Sequence, residues 1–174
     1  MEQMRETLSI SVITETDIPA VTQVVNSAYE GEPGKSWTSE GHLVEGQRTT
    51  ETILRDLISR PSVNIFKYSD AQGVILGCVL LEKKEGTLYL GMLSVLPKVQ
   101  AAGIGARLIQ FSESFAREHQ YNSITITVID KRYELMEWYR RKGFVPTGKL
   151  EPFSNKSSSA IDEFSFMEMR KELL

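Results

Sequence analysis

A chain of 174 residues, 41% apolar and 25% charged, is long enough to bury its own core and has the composition of one soluble globular domain over residues 1–174. A net charge of −3 with no basic stripe argues against a nucleic-acid partner or an anionic membrane surface. The single cysteine, Cys78, excludes an intramolecular disulfide. The apolar run 74–81 is too short to span a bilayer, and the start MEQMRETLS has no apolar signal core, so a cytoplasmic protein is expected.

Leu8, Ile10 and Val12 alternate with polar residues and predict a half-buried strand over 7–13. Asp17 is the expected N-cap of a helix that tolerates Pro19 in its first turn and repeats Ile18, Val21, Val25 and Ala28 at helical spacing. Residues 30–48 show no period and several glycines, which is the mark of a functional loop. Ile53, Leu54, Leu57 and Ile58 share a face of a second helix, stopped by Pro61. Strands are expected at 63–68 and 74–83, joined by the turn DAQG, and at 87–96 after Glu85-Gly86. Ile104, Leu108, Phe111 and Phe115 mark a helix with one buried stripe. The β-branched run 123–130 reads as a buried strand. A helix over 133–142 ends at Gly143, and strands follow at 144–149 and 163–170. The segment 87–130 is one βαβ unit, so two strands are parallel inside an otherwise hairpin-built sheet.

Between that strand and helix stands PKVQAAGIGARL, with two glycines and almost no side-chain chemistry. A helix start offers unpartnered N–H groups and a partial positive charge, and small residues let a phosphate reach them. A tight turn needs glycine too, so the motif alone leaves both readings open. Gln100 offers its amide to such a phosphate or braces the turn. No Walker string GxxxxGK[ST] occurs, and Leu108 stands where a Rossmann fingerprint needs its third glycine or alanine.

LSVLPKVQAAGIGARLI resembles the central motif of the GNAT superfamily of acyl-CoA N-acetyltransferases: a strand ending in V-x-P, then [QR]-x-x-G-x-[GA], then a helix. ELMEWYRRKGFVPTG resembles the family's later helix, in the family's order and at its usual separation. The resemblance spans residues 8 to 172. It implies an α/β (α+β mixed) fold: a mostly antiparallel sheet of six to seven strands, a parallel β4-α3-β5 core and helices on both faces. It also implies acetyl-CoA as cosubstrate. Backbone groups of Leu93, Ser94 and Val95 would bind the pantetheine arm. Gln100, Ala101, Ala102, Gly103, Ile104, Gly105 and Ala106 would hold the pyrophosphate, and Tyr139 would be the general acid beside the sulfur. A strand bulge is implied as well, for which Gly91 is the expected residue. Homodimers are common in the family.

Two positions depart from the pattern. Many members carry a glutamate on the motif strand where this chain has Gly91, and an asparagine seven residues before the tyrosine where it has Arg132. Glu82 on the preceding strand is then the candidate base. In the family the long first loop lines the acceptor site, and SWTSEGHLVEGQRT resembles one branch reading W-T-x-E, then G-x-R-T. Trp37 and Arg48 are its candidate ligand contacts, the arginine suiting an acceptor with a carboxylate. Phe153 and the polar run 154–159 would form the opposite wall. His42 and His119 are too few and too far apart for a metal, His119 capping carbonyls instead. Cys78 reads as a small buried apolar residue. The expected activity is acetyl transfer to a small-molecule amine. A protein N-acetyltransferase and a non-catalytic acyl-CoA-binding domain are the alternatives.

Overall fold

The structure, a computed structural model, describes residues 9–30, 48–152 and 165–173. Strand β1 (Ile10–Val12) leads through a 3-10 turn at Glu15–Asp17 into helix α1 (Ile18–Glu30), followed by α2 (Glu51–Ile58). Strands β2 (Val63–Ser69), β3 (Ile75–Lys84) and β4 (Thr87–Val95) form a meander. A second 3-10 turn (Pro97–Ala102) opens α3 (Ile104–Glu118), and β5 (Ser123–Ile129), α4 (Tyr133–Arg141), β6 (Val145–Pro152) and β7 (Ser165–Glu172) complete the order. The seven strands lie in the order β1-β2-β3-β4-β5-β7-β6. Every neighbouring pair is antiparallel except β4 and β5, which α3 joins as the crossover of a parallel pair. This is the mixed, mostly antiparallel α/β architecture that the sequence implies. No helix among the described residues is long and apolar enough to cross a membrane.

The middle of the sheet is buried on both faces, and β3 is accordingly apolar at successive positions. Val79 and Leu81 join Leu88, Leu108 and Ile124 in one cluster, against α3. Cys78 and Leu80 join Ile65, Ile18, Val21 and Leu54 in the other, against α1 and α2. At the edge this cover runs out. Ile10 packs against the α3-side cluster, but Val12 beyond it is 52% exposed, and Ile13 enters the opposite cluster instead. In α2 only Leu54 is fully buried, while Ile53 is 48% exposed: four apolar residues span a wider arc than an eight-residue helix presses onto its neighbours.

The cap expected at Asp17 belongs to a longer device. Pro19 cannot donate a backbone bond, and the chain starts a turn earlier, at Thr14, with the Asp17 N–H on the Thr14 carbonyl at 2.9 Å. The Asp17 carboxylate accepts the Thr14 N–H at 2.9 Å and the Lys67 ammonium at 2.8 Å. Burial pushes this carboxyl up, but the Lys67 and Thr14 bonds outweigh it and hold the carboxyl below its ordinary value. A depressed folded pKa stabilises the fold above the unfolded pKa, and that stability is lost as pH falls through the folded value. Asp17→Asn is therefore expected to cost about 1 kcal/mol at neutral pH, through the weakened bonds to Lys67 and to the Thr14 N–H. Urea midpoints of the two proteins should converge as pH falls through the carboxylate range. A gap that persists in acid would mean that the carboxylate charge is not the stabilising element.

Candidate active site

Strands β4 and β5 pair at only two positions, Leu88 with Ile124 and Tyr89 with Thr125. They then part, and a bulge in β4 contributes to the parting. Between the pairs Cys78–Ser94 and Leu80–Gly91, the single residue Val79 faces both Met92 and Leu93. Met92 takes up the extra residue with φ +52°, a left-handed backbone. The bulge expected at Gly91 thus falls one residue later. Gly91 is small for a different reason: a Cβ there would lie 2.8 Å from Cε1 of the Tyr89 ring.

A cavity of about 400 Å³ fills the gap between the strands. Residues from both faces of the sheet line it: Leu90, Val128 and Tyr139 on the α3 side, Tyr29, Arg48 and Tyr89 on the α1 side. At the C-terminal end of β4 its wall is Gln100, Gly103, Gly105 and Ala106. Gly103 holds φ +80°, and a Cβ on it would meet nothing within 4 Å, so this turn is open to a ligand. The first N–H to find an intrahelical carbonyl is that of Arg107, on Gly103 at 3.2 Å. Helix geometry leaves the N–H groups of Ile104, Gly105 and Ala106 without one, and Gly103 has no side chain to cap them. An anion would satisfy them and the positive end of a 15-residue helix together.

Of the residues expected to touch a coenzyme, Leu93, Val95 and Gln100 line the cavity, as do Gly103, Gly105, Ala106 and Tyr139. Gln100 resolves its two readings in part, since its Nε2 donates to the Val95 carbonyl at 3.1 Å and so braces the turn. Ser94 is not on the wall: it is 2% exposed, and its hydroxyl donates to the Met92 carbonyl at 3.1 Å. Ile104 is buried in the α3-side core, Ala102 is exposed outside the cavity, and Ala101 lies in the 3-10 turn before α3. Main-chain groups are what these turn residues can offer. Tyr139 is 6% exposed and packs edge-on to Trp138 and Phe144 at centroid distances of 5.1 and 5.5 Å. It is a core aromatic and a cavity wall at once.

Among the other candidates, Arg48 lines the cavity, with its guanidinium 4.9 Å above the Tyr29 ring. Arg132, at the N-cap position of α4, lines it too and is 3% exposed. Glu82 does not line it. It pairs with Tyr89 across β3 and β4 and makes an ion pair with Lys84 at 3.5 Å. Trp37, His42 and Phe153 lie outside the described residues. His119 sets Nδ1 2.8 Å from the Phe115 carbonyl, in the capping role expected of it. Burial pushes the Cys78 thiol up to about 12, which leaves it without nucleophilic character at neutral pH.

Tyr29, Tyr89, Thr127 and Lys142 also line the cavity and were not singled out by sequence. Tyr89 left a faint signal, a tyrosine in an otherwise aliphatic strand two residues before a glycine. No Asp, Glu or His is among the described residues on the wall. The cavity therefore suits a long ligand with an anionic group at the α3 start and an apolar arm along β4, leading to buried and half-buried phenols.

A fold of this kind, with a cleft between two splayed parallel strands and uncapped N–H groups at the start of the crossover helix, fits an acyl-CoA-using transferase. Residues 46–173 match the acetyltransferase (GNAT) domain, and the chain belongs to that family, whose members use acetyl-CoA. Solved structures agree on the fold. An N-acetyltransferase from Staphylococcus aureus is 20% identical with a TM-score of 0.72, covering 94% of this chain and 96% of its own. The ribosomal-protein-S18-alanine N-acetyltransferase from Escherichia coli is 13% identical with a TM-score of 0.71, covering 94% and 92%. The protein yncA from Salmonella typhimurium, solved with its cofactor acetyl-CoA, is 17% identical with a TM-score of 0.69, covering 95% and 93%. A comparison with curated protein sequences finds no match.

Proposed function

We propose that the chain transfers an acetyl group from acetyl-CoA to the primary amine of a small-molecule acceptor, by direct attack within a ternary complex. The observation that carries this reading is the cavity between β4 and β5, walled from both faces of the sheet, so that two reactants can enter from opposite sides and meet. Bound acetyl-CoA supplies an activated thioester carbonyl. The backbone of Leu93 and Val95, the two motif-strand candidates on the wall, binds its pantetheine arm, and the segment from Gln100 to Ala106 holds its pyrophosphate. Lys142, 5.4 Å from the centroid of the Trp138 ring, adds a cation at that end. Tyr139 gives its proton to the departing thiolate. Model phenols and thiols titrate at about 10 and 8.5, close enough for a proton to pass between the two kinds of group. Holding the amine and the thioester in line supplies much of the remaining acceleration. Arg48 at the mouth grips a carboxylate on the acceptor, which favours amino acids over polyamines.

Calorimetric titration tests the reading. Acetyl-CoA is expected to bind at least about 100-fold more tightly than pantetheine, a difference of about 2.7 kcal/mol at two decades. Equal affinities would take the pyrophosphate off the α3 start, and no binding of acetyl-CoA would end the assignment. Thiol release with a panel of amino acids, alkylamines and short peptides then reads the acceptor class.

A further inference from the structure

Acyl transfer to an amine leaves a surplus proton on nitrogen, and the described wall of the cavity carries no Asp, Glu or His to take it. It does carry a pair of hydroxyls. Tyr89 Oη lies 3.1 Å from Thr127 Oγ1, bridging β4 and β5 just past the last backbone pair, Tyr89 with Thr125. The pair sits where a side chain at position 91 would project. A Cβ on Gly91 would be 2.8 Å from the Tyr89 ring and 3.3 Å from its hydroxyl. Both residues line the cavity, Tyr89 half-buried and Thr127 exposed, so the pair leads from the covered to the open part of its wall.

We infer that Tyr89 and Thr127 form the proton exit for the attacking amine, in the space that Gly91 leaves open; this rests on the acetyl-transfer reading above. Nitrogen bonds to the thioester carbonyl carbon, and the carbon–sulfur bond breaks. The surplus proton on nitrogen passes to Tyr89 Oη as Tyr89 passes its own to Thr127 Oγ1 and Thr127 passes its own to water. Both hydroxyls end as they began, and water gains one proton. The thiolate takes a separate proton from Tyr139, which recovers it from solvent. A chain of two hydroxyls suits an amine that arrives neutral, because neither hydroxyl needs to hold charge for longer than the transfer.

The same bridge would also brace the two strands, so the test separates a relay from a strut. Tyr89→Phe keeps the ring over Gly91 and removes only the hydroxyl. It is expected to lower kcat for the best acceptor of the amine panel by about 100-fold, the low end of the contribution of one general acid–base group, and Thr127→Val by about 10-fold, because water can take the place of its hydroxyl. The calorimetric Kd for acetyl-CoA and the melting temperature should stay at wild-type values. Gly91→Ala should fold and bind acetyl-CoA but lose kcat, because the flexible ring must swing off Thr127 to admit the methyl group. In the double variant Tyr89→Ala with Gly91→Glu, a carboxylate replaces the hydroxyl chain. Recovery of at least about 10-fold in kcat over Tyr89→Ala alone is expected. A strut would gain nothing from that carboxylate. Undiminished turnover by Tyr89→Phe overturns the relay while leaving acetyl transfer standing. Acetyl-CoA binding with no turnover of any amine by the wild type overturns both.

Discussion

Gly105→Glu is expected to abolish acetyl-CoA binding while leaving the protein folded. Position 105 is the second residue of α3, and its N–H is one of three that the helix itself cannot satisfy. A Cβ there reaches the edge of the Trp138 ring at 3.4 Å, an ordinary contact, so the substitution is not excluded by crowding at its first atom. Glycine in a helix costs up to about 1 kcal/mol against better helix formers, and a carboxylate in the first turn adds a favourable dipole term of about 0.3–1 kcal/mol. The variant should therefore melt no lower than the wild type. Its carboxylate, however, competes for the same N–H groups and repels the pyrophosphate at close range. Like-charge juxtaposition costs several kcal/mol, so a loss of at least about 100-fold in affinity follows. Gly105→Ala is the control, with a change within about threefold. Unchanged affinity in a folded Gly105→Glu protein would move the pyrophosphate elsewhere and return the glycines to the role of a tight turn.

How much of this was legible in the chain differs between fold and site. The element order follows from local signals. Alternation and β-branching mark the strands, Pro61 and Gly143 punctuate helix ends, and the apolar spacing from Ile104 to Phe115 marks α3. The glycine turn was legible as a turn, because Gly103 takes φ +80°, a backbone that favours glycine whatever the tertiary surroundings. The position of the bulge was not legible. It depends on which β3 residue faces which β4 residue, and Val79 facing both Met92 and Leu93 is a fact of register between strands. Tyr89 was missed for a related reason. Its importance lies in folding its ring over Gly91 and reaching Thr127, 38 positions along the chain, and no local pattern encodes that meeting. Glu82 was proposed because it is a carboxylate near the motif strand, yet cross-strand neighbours of a wall residue need not be on the wall. Arg48 was flagged as an arginine in an aperiodic segment, and the structure sets it over Tyr29, at the far end of α1.

Tyr139→Phe separates an enzyme from a domain that only binds acyl-CoA. The ring of Tyr139 packs against Trp138 and Phe144 in a buried cluster, and phenylalanine keeps both contacts. Loss of one hydroxyl from a wall that is mostly apolar and backbone should leave the acetyl-CoA Kd within about threefold of wild type. If Tyr139 protonates the departing sulfur, kcat should fall by about 100-fold to 10,000-fold, the usual contribution of a positioned acid. KM for the acceptor should change little, because the lost interaction develops only as the carbon–sulfur bond breaks. The contrast with Tyr89→Phe is informative. If Tyr139 serves the leaving group and Tyr89 the nucleophile, the two losses fall on different protons. A thioester with a more acidic thiol should shrink the Tyr139→Phe defect and leave the Tyr89→Phe defect intact. Equal rates for Tyr139→Phe and wild type, with binding unchanged, would make Tyr139 a packing residue and leave water to protonate the thiolate. A wild type that binds acetyl-CoA and turns over no amine would assign the cavity to acyl-CoA binding alone.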